Sequence, residues 1–286
     1  MAEKTEEVDN LRTEFDWLLK EEVHRVFDEL KTILKECCNR FPVMIYSGNN
    51  DEILQPEKFI LASSNGTQNY KCMVTILGDS ICEADLSLRV NKPTPAIQKS
   101  QLTPGETWRL QQVQDAGNHL MNALTLVSNI EKSYTFKTGQ EVVLLLNDVT
   151  SCLNRGRACL TLPRKKSLEE LVHNRNMKIW SPPVPNDIVL SFYIQAQKLV
   201  LGVYQLQLNS AQKLDIGAKH TIECSVPWLN DAIVLYTIAL QRCQQLLDKV
   251  NLFMELFESR TALYKQTTDK LDSDHIRSPT LISFET

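Results

Sequence analysis

The chain has 286 residues, 43% of them hydrophobic and 23% charged, which suits one large domain or two ordinary ones and excludes a disordered or membrane-embedded composition. A formal net charge of −4 with both signs interspersed leaves no nucleic-acid footprint over the chain as a whole. No stretch approaches about 18 uninterrupted apolar residues, and the acidic, polar start "MAEKTEEVDN" reads as neither a secretory nor a mitochondrial leader, so a cytoplasmic protein is expected.

In chain order, Leu11, Phe15, Leu18, Leu19, Val23, Val26, Leu30, Ile33 and Cys37 recur at helical spacing and predict an amphipathic helix within 11–40. Cys37 and Cys38 are adjacent, so one is expected to pack and the other to be exposed. "FILAS", "YKCMVTIL" and "ADLSLRV" then read as three strands within 56–92, the last with Ala84, Leu86, Leu88 and Val90 on one side. "SSNGTQ" between the first two reads as a hairpin turn, because Asn-Gly suits positive φ angles. The Pro-rich stretch 91–106 is expected to be a loop.

Two further helical stripes follow, Leu110, Val113, Gly117, Leu120, Leu124, Val127 and then Val142, Leu146, Val149, Leu153, Gly156, Leu160. Only "EKSYTFKTG" joins them, which makes them antiparallel neighbours within 105–162. Beyond the loop "SPPVPND" come "IVLSFYIQ", "KLVLGVYQLQL" and "KHTIECSV", three strands within 186–226, with His220 read as a packed sheet residue rather than a metal ligand. The last regular segment, within 227–260, places Leu229, Ile233, Tyr236, Leu240, Cys243, Leu247, Val250, Met254 and Phe257 at steps of four and three. A two-stranded zipper and an intramolecular helix packing share that 3.5-residue repeat. Val234, Leu235, Ile238 and Ala239 are also apolar, and hiding them favours the intramolecular reading, so the protein alone is expected to be mainly monomeric. Residues 261–286 lose periodicity and read as a disordered tail.

This order predicts an elongated α+β fold: a four-helix antiparallel bundle built from 11–40, 105–162 and 227–260, plus an antiparallel β domain, 56–92 and 186–226, inserted between the helices.

Signals for chemistry are sparse. Nine glycines include no Gly-x-Gly, so neither a dinucleotide fingerprint nor a P-loop can be built. Five histidines and eight cysteines lack ligand spacing, and the cysteines read as small buried hydrophobes. No catalytic residue, metal site or cofactor is assigned, and a non-enzyme is expected. Two surfaces are candidates for partner binding. Leu252, Phe253 and Leu256 widen the apolar stripe of the last helix. Arg164, Lys165 and Lys166 end a basic run that starts at Arg155 and Arg157, which either offsets a helix dipole or docks an acidic partner or anionic lipid.

Taken together, "FDWLLKEEVHRVFDELKTILKE", "WRLQQVQDAGNHLMNAL", "SYTFKTGQEV", "YIQAQKLVLGVYQL" and "ECSVPWLNDAIVLYTIALQRCQQLLDKV" resemble the Rogdi family from about Phe15 to Val250. The resemblance implies a two-part molecule of helices plus a β domain. It also implies a non-enzymatic adaptor role, as the small subunit of RAVE/rabconnectin-type complexes that promote assembly of the vacuolar-type proton ATPase. The implied partners are WD-repeat rabconnectin-type scaffold proteins and peripheral-sector subunits of the pump, with membranes reached only indirectly, through recruitment to endomembranes. The alternative is a peripheral membrane-surface module that binds anionic lipid through the basic run. Light scattering of the purified chain should give a monomer; a stable dimer at micromolar concentration contradicts the intramolecular seam.

Overall fold

The computed structural model describes residues 2–41, 55–63, 70–90, 96–164, 166–210 and 212–275. The Asn65-Gly66 turn, Lys165 and the end of the chain from 276 lie outside them.

The helical part begins with α1 (Ala2–Trp17), a π-helical turn (Leu18–Glu22) and α2 (Val23–Arg40), which follow one another without a break. After the strands β1 (Glu57–Ala62), β2 (Tyr70–Leu77), β3 (Ser80–Val90), β4 (Ala96–Leu102) and β5 (Trp108–Arg109) come α3 (Gln111–Ser128) and α4 (Gly139–Thr161). Thr138 caps α4 by accepting from the Glu141 amide, while the Glu141 carboxylate accepts from the Lys137 amide and the Tyr134 hydroxyl. A short helix, α5 (Leu168–Val172), carries a reciprocal capping box between Ser167 and Glu170. A 3₁₀ turn (Arg175–Ile179) leads to β6 (Trp180–Ser181), β7 (Ile188–Gln195), β8 (Lys198–Leu208) and β9 (Leu214–Ser225), and α6 (Pro227–His275) completes the order.

All nine strands among the described residues belong to one curled, half-barrel-like antiparallel sheet in the order β6-β4-β3-β2-β1-β9-β8-β7, with β5 paired to β3 off that path. Alternation places Cys72, Val74 and Ile76 of β2 and Ala84, Leu86 and Leu88 of β3 on the inner face, all buried. The sheet corrects the expected architecture. The protein is α+β, but it is not a four-helix bundle carrying an inserted β domain. The physical reason is the core: one continuous apolar cluster runs from Leu30, Leu120 and Leu146 on the helices into Leu61, Leu86 and Leu201 on the sheet, so the strands have no separate core of their own. Five helices of eight residues or more accompany the short α5 and the π turn.

Three strands escaped the sequence reading. The inner face of β4, within the supposed 91–106 loop, carries half-buried Gln98 and buried Ser100 before reaching Leu102, so its alternation lacks apolar contrast. β5 and β6 are two residues each, too short for any period.

Helix α6 packs against α2 and α4, and α3 against α2 and α4. The buried seam of α6 is Leu229, Ala232, Tyr236, Ala239, Cys243, Leu246 and Val250, with Ile233, Leu240 and Leu247 half-buried beside it. The seam is therefore covered within the chain. Val234 and Ile238, expected to be hidden, are instead 47% and 41% exposed, because α6 touches neighbours along one side only. Cys37 and Cys38 are both buried, contrary to the expectation for adjacent positions. Helix α2 contacts both α3 and α6, the Cys37 thiol lies at the Ala232 carbonyl of α6, and positions about 100° apart can face different neighbours. His220 is exposed, with its ring 4.9 Å from that of Tyr70 on the sheet surface.

Tyr236 locks α6 to its neighbours. Its ring lies over Gly156 of α4, and its hydroxyl donates to the Ala116 carbonyl of α3 at 2.7 Å. Nearer the other end of α2, the Lys249 ammonium donates to Glu22 at 2.8 Å and holds that carboxyl below its usual range. A Cβ at position 156 would lie 2.6 Å from the Tyr236 hydroxyl oxygen. Gly156→Val should accordingly lower unfolding stability by about 2 kcal/mol or more, read from urea denaturation. An unchanged midpoint would show that the ring does not fill this gap.

Candidate functional site

The site is built where the outer edge of β7 meets the helices. In an antiparallel strand every second residue turns both its N–H and its C=O away from the paired neighbour. Here Ile188, Leu190, Phe192 and Ile194 are the outward ones: the Ile188 amide donates to Pro185, and Leu190 meets Met177 through its amide and the Asn174 side chain through its carbonyl. At Ile194 the partner is Gln112, in the first turn of α3. Its Oε1 accepts from the Ile194 amide at 2.9 Å, and its Nε2 donates back to the Ile194 carbonyl at 2.9 Å. The same Nε2 reaches the Cys159 and Leu162 carbonyls at the C-terminus of α4, at 2.8 and 2.9 Å. One primary amide thus stands in for a neighbouring strand and caps a helix, while itself almost wholly buried.

Beside this clamp lies a cleft of about 290 Å³. Its walls include Arg109, the α3 start at Gln111 and Gln112, Arg164, Lys166, Glu170, and the β7 residues Phe192 and Tyr193. Lys166 is half-buried, and burial, together with the nearby Arg164 charge, pulls its ammonium below the usual lysine range although Glu170 opposes the shift. Arg164 approaches Asp115 at 3.8 Å, an exposed contact that binds it weakly. No side chain caps the start of α3; the Val113 amide bonds back to the Leu110 carbonyl, and Gln111 and Gln112, the first two residues of the helix, line this wall.

Arg164 and Lys166 thus come together in a defined concavity, whereas Lys165 lies outside the described residues. Leu252 and Leu256 are exposed, 54% and 42%, one turn apart on α6. Phe253 is not part of that surface, since its ring stacks on Phe15 of α1 at 6.0 Å. Met254 nearby lies against Gly139, the first residue of α4, while the cleft sits beyond the last. The helix between them spans 23 residues, about 34 Å, so the two surfaces stay apart.

Sequence reasoning missed Gln112 and Arg109, and it placed Tyr236 on the seam of the last helix without its hydroxyl bond to Ala116. Gln112 carried a signal, because with Ala116, Leu120 and Ala123 it forms a second buried row of α3, where an uncharged polar residue needs partners.

The buried thiols are chemically quiet: burial pushes Cys37 up to about 12 and Cys38, Cys224 and Cys243 up to about 11. Among the described residues no group of three or more His, Cys, Asp or Glu side chains is arranged to hold a metal ion, and no helix is long and apolar enough to cross a membrane.

Residues 14–216 match the family model described as Rogdi leucine zipper containing protein. The chain belongs to the Rogdi family. It is 41% identical to "Protein rogdi" of Drosophila melanogaster over 248 residues, covering 87% of this chain and 90% of that one. It is 37% identical to "Protein rogdi homolog" of Homo sapiens over 275 residues, 87% and 94% of the two chains, and 26% identical to the Caenorhabditis elegans homolog over 258 residues, 83% and 87%. The Rogdi family model ends before α6, and the zipper-spaced residues of α6 face α2 and α4 of the same chain.

The clamp generates a pH-dependent prediction. Gln112→Leu should cost about 3 kcal/mol or more, since it strands a buried amide and carbonyls. A Gln112→Glu carboxyl can donate only while protonated, and three carbonyl oxygens around it raise its folded pKa above the unfolded value of about 4.3. Its contribution is then fully present below that unfolded value and lost as pH rises through the folded one, so the deficit against wild type should grow from about pH 4 to pH 8. Equal deficits across that range in chemical denaturation would contradict the clamp.

Proposed function

We propose that this chain is a non-catalytic adaptor subunit of a RAVE/rabconnectin-type complex that promotes assembly of the vacuolar-type proton ATPase, and so organelle acidification. The observation that carries the reading is membership of the Rogdi family over most of the chain, for which the sequence resemblance implies this role. The chemistry of the side chains agrees with binding rather than turnover. Thiols held protonated at neutral pH are poor nucleophiles, and two histidine rings are engaged with backbone carbonyls, His24 with Tyr134 and His173 with Glu169.

On this reading the protein is cytoplasmic and reaches endomembranes through its partners, WD-repeat scaffold proteins and peripheral-sector subunits of the pump. An adaptor of this kind acts by shifting the population of assembled pump through differential binding. The exposed ridge of Leu252 and Leu256 is the surface we assign to the scaffold, with Phe253 supporting it from behind through Phe15.

Affinity purification of the chain from cell extract with mass spectrometry tests the reading. A WD-repeat scaffold and pump subunits should co-purify, and Leu252→Ser with Leu256→Ser should lose the scaffold while keeping the wild-type circular dichroism spectrum. Depleted cells should hold less peripheral sector on membranes and show raised luminal pH. Recovery of neither scaffold nor pump subunits, with normal luminal pH after depletion, contradicts the adaptor role.

A further inference from the structure

Among the described surfaces, the cleft beside Gln112 has a composition that folding alone does not explain. Three cations, Arg109, Arg164 and Lys166, share a concavity of about 290 Å³ with one carboxylate, Glu170. Like charges gathered around a partly desolvated space repel one another, and Lys166 is the group that shows it, its ammonium disfavoured by burial and by Arg164. Its one structural counterweight in the cleft is Glu170, one of whose carboxylate oxygens, Oε2, accepts from the Ser167 amide of the capping box.

The backbone adds a second, independent feature. Along the outer edge of β7 the outward groups of Ile188, Leu190 and Ile194 are met by Pro185, by Asn174 with Met177, and by Gln112. The same alternation turns the N–H and C=O of Phe192 outward, into the wall of the cleft, between the Asn174 and Gln112 clamps. None of those edge partners is bonded to it. The cleft therefore offers, side by side, cations, an outward amide donor, an outward carbonyl acceptor and the uncapped first turn of α3.

A simple inorganic anion would use only half of this set. A phosphate group on a polyol uses all of it: the phosphate oxygens accept from Arg109, Arg164, Lys166 and the α3 first-turn amides, while ring hydroxyls donate to Glu170 and the Phe192 carbonyl and accept from the Phe192 amide. The volume matches a single six-membered ring with its substituents, at the small end of ligand sites. We propose that this cleft binds a phosphorylated polyol of the inositol phosphate type, either free or as the headgroup of a phosphoinositide. The inference stands apart from the adaptor reading, since it rests on the cleft alone.

Calorimetric titration of the full chain with inositol trisphosphate tests it, with unphosphorylated inositol and inorganic phosphate as comparisons. Saturable binding should be seen with inositol trisphosphate and should be tighter than with either comparison. Arg164→Ala combined with Lys166→Ala should weaken it about tenfold or more, as expected for removing charge-assisted contacts. Arg155→Ala, on α4 away from the lining, should leave it unchanged, and thermal unfolding of all variants should match wild type. Flotation with phosphatidylcholine vesicles, with and without a few per cent of a phosphoinositide, separates the sources. Recruitment that requires the phosphoinositide and the two cations assigns the headgroup, and soluble binding without recruitment assigns the free compound. No saturable heat, equal affinity for inorganic phosphate, or binding and recruitment indifferent to the Arg164 and Lys166 substitutions overturns the proposal.

Discussion

Among the described residues strand β7 has no strand beyond it, and the way its outer edge is satisfied decides how the helices sit on the sheet. An open edge exposes a row of donors and acceptors that either pair with another chain or must be covered. Here Gln112 supplies a strand-like pair of bonds to Ile194, and the same amide group ties down the end of α4 through Cys159 and Leu162. Its nitrogen has two hydrogens for three carbonyls, so one is shared, and the arrangement tolerates little displacement of α3, α4 or β7. Farther along the edge, Asn174 and Met177 continue the cover at Leu190. The same routing positions the basic cleft: Arg164 and Lys166 lie where the chain leaves α4 to cross β7.

The second constraint is steric. α6 closes on α3 and α4 through Tyr236, and the ring fits because position 156 has no side chain. Ala232 and Ala239 flank Tyr236 on the buried face, so the backbones approach closely around one large residue. The zipper-like spacing along α6 is thus used inside the chain, while Leu252 and Leu256 farther along, like Val234 and Ile238, turn toward solvent.

The helices were legible because their stripes are long and strongly apolar, as in Val142, Leu146, Val149 and Leu153. Strand β3 was legible at period two, and β7 and β8, buried over consecutive residues, from their Val, Ile, Tyr and Phe content. What the periodicity could not carry was the sharing of one core between both, because a pattern marks which side of an element is buried and not what covers it. That gap produced the expectation of a separate β domain. β4 was hidden by Ser100 and Gln98 on its inner side, and α5 by its length of five residues. At the cleft, Arg164 and Lys166 stood out as a charge run, but Arg109 and Gln112 join them only through the pairing of β5 with β3 and the entry of α3, both long-range events. Phe253 looked like surface until α1 folded back to stack Phe15 on it.

The central claim is that the Gln112 clamp makes helices and sheet one cooperative unit, and native-state hydrogen exchange at the Ile194 amide tests it most directly. This amide sits on an outer strand edge and is bonded only to a side chain, so without the clamp it would exchange as a frayed edge does, through small local openings. The account predicts that it is protected as strongly as the core helical amides of Leu120 and Val149, exchanging only when the whole chain unfolds. Exchange orders of magnitude faster than those amides would contradict it, and would make the helix-to-sheet junction a locally opening seam.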